Sequence, residues 1–66
     1  MPLNESTQAG LLDERAAAKI LSCSVALLRK HRLFRTGPAY YKVGRLVRYS
    51  EADLKAFIER NRVEAV

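Results

Sequence analysis

The chain has 66 residues, 48% hydrophobic and 29% charged, and carries a net +5 from twelve Lys+Arg against seven Asp+Glu. That supports one small globular domain with a thin core and excludes a disordered composition. No apolar run approaches the roughly 18 residues that cross a bilayer, and no basic start followed by an apolar stretch marks a secretory signal; a cytoplasmic protein without a membrane partner is expected.

In chain order, residues 1–10 (MPLNESTQAG) are polar, carry Pro2 and Gly10 and lack periodicity, which predicts a flexible arm before a domain over 11–62. Asp13 is placed to cap a first helix over about 13–21, with Ala17, Ile20 and Leu21 at i, i+3, i+4 as its buried stripe. A three-residue break, Ser22 to Ser24, precedes a second helix over about 24–33, capped by Ser24. Leu28 and Leu33 are expected in the core and Leu27, Leu28 and His31 along one stripe, with Val25, Ala26, Arg29 and Lys30 on the other side. Gly37-Pro38 ends the helical reading.

Residues 40–43 and 47–49 read as a two-stranded hairpin around Gly44. A three-residue loop (Gly44, Arg45, Leu46) would place Tyr41, Val43, Val47 and Tyr49 on one buried face, and Lys42 and Arg48 together on the other. Ser50 then caps a third helix over about 50–61, with Leu54, Phe57 and Ile58 buried and a tail over 63–66. Each cap has an apolar residue before it and another four positions after it: Leu12 with Ala17, Cys23 with Leu28, Tyr49 with Leu54. That is hydrophobic-staple spacing. The fold class expected is a mostly α, winged helix-turn-helix domain: three helices and a β-hairpin wing.

Cys23 and His31 are the only residues of their types, which excludes an internal disulfide and a four-ligand zinc site. They lie eight positions apart, roughly 12 Å along a helix, too far for a nucleophilic pair. Cys23 reads as a small apolar staple, and His31 as a part-buried, hydrogen-bonded side chain. With little room for a water-excluding pocket, neither an enzyme nor a cofactor or small-molecule ligand is expected.

The charge distribution is the most informative feature. From Arg29 to Arg48 there are seven basic residues (Arg29, Lys30, Arg32, Arg35, Lys42, Arg45, Arg48) and no acidic one. Such a one-sign segment repels itself in the folded state, and a polyanion is the usual partner; the alternative is a basic face that serves solubility. Two short helices across a tight break match the helix-turn-helix plan, in which the second helix enters the major groove of duplex DNA. Ser24, Val25, Ala26, Arg29 and Lys30 are the expected recognition-helix contacts, and Lys42, Arg45 and Arg48 the expected wing contacts. Arg32, Arg35 and Tyr40 are candidate phosphate contacts. Arg32 and Arg35 also suit the negative end of the helix dipole, and Tyr40 suits packing beside Leu33 or Phe34.

The stretches LLDERAAAKILSCSVALLRKHR and GPAYYKVGRLVRYSEADLKAFIE resemble the small MerR-type winged-helix domains of phage and prophage excisionases and their regulatory relatives. The resemblance covers Leu11 to about Arg60 and is most specific in the second stretch, with its Gly-Pro, K-V-G-R wing tip, V-R-Y and D-L-x-x-F. It implies sequence-specific DNA binding by protomers associating on direct repeats. It also implies either steering an integrase partner toward excision or regulating transcription of a mobile element. The chain departs from the pattern at Ser22, where Gly is common, at Val25, Ala26 and Leu27, where polar residues are common, and at Leu46 in the wing. Apolar side chains contact thymine methyls but make no bidentate hydrogen bonds, which leaves direct base readout to Arg29 and Lys30 and the rest to DNA shape. From a different class, an adaptor docking its basic face on an acidic protein is the competing reading. RNA binding is disfavoured, because Tyr40 alone makes a poor stacking platform.

Overall fold

The computed structural model describes residues 10–65. The arm expected over 1–10 lies outside them apart from Gly10, as does Val66 of the tail. The elements run β1 (Leu11–Leu12), α1 (Glu14–Leu21), α2 (Val25–Phe34), β2 (Tyr41–Val43), β3 (Leu46–Ser50) and α3 (Glu51–Arg60). Three helices thus pack with a three-stranded antiparallel sheet of order β1-β3-β2. The arrangement is compatible with a helix-turn-helix bearing a β wing.

All three helices start at the expected caps. The Asp13 carboxylate accepts from the Ala16 amide at 2.9 Å, Ser24 Oγ from Leu27 at 3.0 Å and Ser50 Oγ from Asp53 at 3.0 Å. Each bond satisfies one amide that the first helical turn leaves without a backbone partner. The staple residues also meet in one place. Ala17, Leu28, Tyr49 and Leu54 are buried together with Ala18, and Leu12 and Cys23 pack against them. Burying a side chain the size of Leu28 or Leu54 stabilises the fold by about 1.5–3 kcal/mol.

The helix ends are tied off without glycine. Ser22 adopts the left-handed conformation at φ 54°, ψ 44°. The Ser22 amide donates to Lys19 O at 3.1 Å and the Cys23 amide to Ala18 O at 2.9 Å. Arg35 repeats the pattern at φ 57°, ψ 39°, with its own amide donating to Arg32 O and the Thr36 amide to His31 O. Both are Schellman closures, in which two terminal carbonyls gain amide partners. Ser22 to Ser24 therefore form the tight break expected between the first two helices.

The hairpin differs from expectation. Val43 pairs with Leu46, Lys42 with Val47 and Tyr41 with Arg48, so the loop has two residues, Gly44 and Arg45. Gly44 takes φ +62°, which a two-residue type II′ turn requires at its first central position. Directly paired residues share a face. Lys42, not Arg48, therefore lies on the side of Val47 and the buried Tyr49, and Arg48 is on the opposite side with Tyr41. Tyr41, Val43 and Leu46 are consequently about half exposed, at 50%, 55% and 52%, and Tyr41 and Val43 do not belong to the core.

Three other expected core residues are also exposed. Leu33 is 76% accessible because Leu28's stripe continues at i+3 and i+4, through His31 and Arg32, and leaves Leu33 off it. On α1 the buried face is centred on Ala17 and Ala18; Ile20, two residues from Ala18, points away and is 41% accessible. Ile58 is 44% accessible and lines an open groove with Leu27 and Phe57 between α2 and α3. β1 had no counterpart in the sequence reading; it pairs Leu12 with Tyr49 and Leu11 with Ser50.

Candidate nucleic-acid interface

Arg29 and Arg32 are three residues apart on α2 and therefore share a helical face. Two guanidinium groups that close repel unless an anion lies between them, and Glu14, the first residue of α1, supplies it. Arg29 Nε donates to Glu14 Oε1 at 3.2 Å and Arg29 Nη2 to Glu14 Oε2 at 2.6 Å. Arg32 Nη2 donates to Oε1 of the same carboxylate at 3.1 Å, and Arg32 Nη1 donates to the Tyr49 hydroxyl at 2.7 Å. The guanidinium of Arg32 also lies 5.9 Å from the Tyr40 ring centroid, and the Tyr40 and Tyr49 rings are 6.1 Å apart. A continuous polar chain thus runs from the exposed Arg29 to the fully buried Tyr49 and joins α1, α2 and β3.

The clamp sets the protonation of its members. The hydrogen bond from Arg29 holds the Glu14 carboxyl below its ordinary pKa of 4.5, against an opposing effect of burial and with further help from Arg32. Glu14 is consequently an anion at neutral pH. Its place in the first turn of α1 also suits the positive end of that helix.

Around this clamp α1, α2 and the wing enclose an open groove of about 340 Å³. Arg15, Arg29, Arg32, Arg45 and Arg48 line it, with Asp13 and Glu14 on its α1 side. A second groove of about 390 Å³, on the other side of Arg32, is lined by Arg32, Arg35 and Tyr40 among others. Arg32 therefore stands between the two. Its side chain is only 19% exposed, against 63% for Arg29.

The remaining expected contacts lie around these grooves. Ser24, Ala26 and Lys30 are exposed along α2 and Val25 is half-buried; Ser24 Oγ is occupied by its capping bond. Lys42 and Arg45 are exposed, Arg45 at the wing turn, whereas Arg48 is half-buried and donates from Nη1 to the Val47 carbonyl at 2.9 Å. Tyr40, just before β2, sets its ring at a tilt beside that of Tyr49 while remaining exposed. His31 is half-buried, with Nδ1 2.7 Å from Thr36 Oγ1 and its ring set edge-on to Phe57 at 5.8 Å.

Sequence reasoning missed Glu14 and Arg15 as parts of this surface, and the buried Tyr49 as the hydroxyl that anchors Arg32 beneath it. All the acids lie outside the basic segment in sequence, yet folding brings Glu14 back against it. The i, i+3 spacing of Arg29 and Arg32 shows that they share a helical face, but nothing in the sequence names the acid that joins them. Among the described residues no group of His, Cys, Asp and Glu is arranged to hold a metal ion, and no helix is long and apolar enough to cross a membrane. No protein-family model and no curated protein sequence matches the chain.

Proposed function

We propose that this chain is a double-stranded DNA-binding protein with sequence preference, acting in the cytoplasm without catalysis. In this reading α2 enters the major groove, and the β2–β3 wing follows the backbone or the adjacent minor groove. The observation that carries it is the convergence of Arg29, Arg32, Arg45 and Arg48, from a helix and a hairpin distant in sequence, on one open groove. An open, arginine-lined surface flanked by a short helix suits a phosphate-rich polymer better than a small anion, which would favour an enclosed site. Lys30, Lys42 and Arg35 extend the positive surface beyond the groove, and Ser24, Val25 and Ala26 lie at the leading end of α2.

The resemblance to excisionases extends the proposal to a recombination directionality factor, which acts with an integrase and self-associates on repeated sites in phage or mobile-element DNA. Transcriptional regulation without recombination is the alternative that the same interface would serve. A reconstituted reaction separates the two: stimulation of excision over integration supports the first, and no effect on either supports the second.

DNA binding itself is tested by selecting random duplexes at about 150 mM salt, where non-specific phosphate binding is weakened. An enriched motif is the expected result, and phased direct repeats would support self-association. Binding without a motif would make the protein a reader of DNA shape. No duplex binding, even at low salt, would overturn the reading in favour of an adaptor for an acidic protein.

A further inference from the structure

Arg29 presents an unusual combination: its side chain is 63% exposed, yet its guanidinium is fixed along one edge. Glu14 takes one proton from Nε and one from Nη2. A guanidinium carries five N–H donors, so both protons of Nη1 and one of Nη2 remain for another acceptor pair. The carboxylate that holds this edge is anchored in turn, since Oε1 also accepts from Arg32 and Arg32 is tied to the hydroxyl of the buried Tyr49. Glu14 cannot follow Arg29 outward without breaking that chain.

This arrangement separates two contributions an arginine makes to DNA binding. The adjacent carboxylate offsets the positive charge of Arg29, so its pull on phosphates in general is reduced. Its directional donors remain and are preorganised, so less side-chain entropy is lost when a matching acceptor pair is met. An arginine so held contributes less to overall affinity and more to discrimination. The acceptor pair that fits a guanidinium end in the major groove is O6 and N7 of guanine.

Resting on the DNA-binding reading, we infer that Glu14 is a specificity-determining positioning residue, which braces Arg29 through its Nε–Nη2 edge so that the free Nη1–Nη2 end reads a guanine. Asp13, beside it, is engaged in capping α1, and it is Glu14 that accepts from Arg29, so the role falls on Glu14. A carboxylate this close to a phosphate-binding surface costs general affinity.

The test measures affinity of the wild type, Glu14→Ala, Glu14→Gln and Arg29→Lys for the duplex enriched from the random pool and for a scrambled duplex of equal length. Glu14→Ala is expected to bind the scrambled duplex more tightly, because an anion has been removed, and to lose about tenfold or more of the ratio between the two duplexes. Glu14→Gln, which keeps one acceptor oxygen, should lie between Glu14→Ala and the wild type. Arg29→Lys keeps the charge and the exposed position but loses the planar fork, so it should lose the ratio with little change on the scrambled duplex. Glu14→Gln, close to isosteric with the wild type, keeps the test decisive if Glu14→Ala folds poorly. Combining Glu14→Ala with Arg29→Lys should reduce the ratio no further than either alone. A merely structural Glu14 would weaken both duplexes alike and leave the ratio intact, which overturns the inference while DNA binding stands. An enriched motif without a guanine whose replacement matters to Arg29 also overturns it. Failure of the wild type to bind or to prefer any duplex overturns the DNA-binding reading and this inference with it.

Discussion

Arg32 donates to the Tyr49 hydroxyl across 2.7 Å, which joins α2 to β3, the central strand of the sheet. Tyr49 is fully buried and carries its polar atom to the core boundary, where Arg32 meets it. Tyr49→Phe keeps the ring and its packing but leaves one Arg32 donor without its partner. The expected loss is about 1 kcal/mol, since the guanidinium keeps its bond to Glu14 and some access to water. Urea denaturation of the two proteins measures it, and an unchanged midpoint would show that the hydroxyl contributes nothing.

Acid should loosen the same chain of contacts from the Glu14 end. The folded-state pKa of Glu14 is depressed, chiefly by the hydrogen bond from Arg29. Its contribution is therefore fully present above the unfolded-state value of about 4.5 and is lost as pH falls through the lower folded-state value. Below about pH 5 the wild type should lose stability faster than Glu14→Gln, which has no proton to gain at that position. Melting temperatures from pH 7 to pH 3 provide the comparison, and parallel curves would remove Glu14 from the acid response.

Ser22 and Arg35 occupy backbone conformations in which glycine is less strained. At φ 54° Ser22 closes α1 with a side chain that is exposed, so replacing it removes no core contact. Ser22→Gly should stabilise the protein by about 0.5–1 kcal/mol, the left-handed strain relieved less the added freedom of the unfolded chain. Arg35→Gly should do likewise but also remove a cation from the second groove, raising the melting temperature while weakening duplex binding. A melting temperature that falls for both variants would rule out the strain argument.

The sequence made the helix starts legible because capping is local chemistry: Asp13, Ser24 and Ser50 each act on an amide three residues away. The staples were legible for the same reason. The wing was misread because alternation of Tyr41 and Val43 resembles a buried strand face, whereas Gly44 at the first turn position already favoured a two-residue loop. β1 spans only two residues, too few to show a period. The brace on Arg29 was hidden for a different reason. Glu14 and Arg29 are fifteen positions apart, and a count of charges along the chain does not reveal which of them fold together.

Gly37 is held by a close approach to His31 that the sequence does not show. A Cβ built there would lie 2.6 Å from the Cβ of His31 and 3.1 Å from its Cγ. Gly37→Ala should therefore cost about 1–3 kcal/mol, as overpacking does elsewhere. His31→Ala should not rescue it, because the closest clash is with an atom that alanine retains, whereas His31→Gly should recover part of the loss. Full rescue by His31→Ala would place the conflict at the imidazole instead.

The wing should contribute affinity without discrimination. Arg45 is exposed at the turn and makes no hydrogen bond or ion pair among the described residues, so its charge is open to a polyanion. Arg48 is half-buried and already donates to the Val47 carbonyl, so it has less of its guanidinium to offer. If about five phosphates are neutralised in all, log K should fall against log salt with a slope near −4.5. Arg45→Ala should make that slope shallower by about 0.9 and weaken every duplex by the same factor, with Arg48→Ala having a smaller effect. Salt titrations on the enriched and scrambled duplexes test both points. A loss from Arg45→Ala confined to the enriched duplex would mean that the wing reads bases, and the separation of roles between Arg29 and Arg45 would fail.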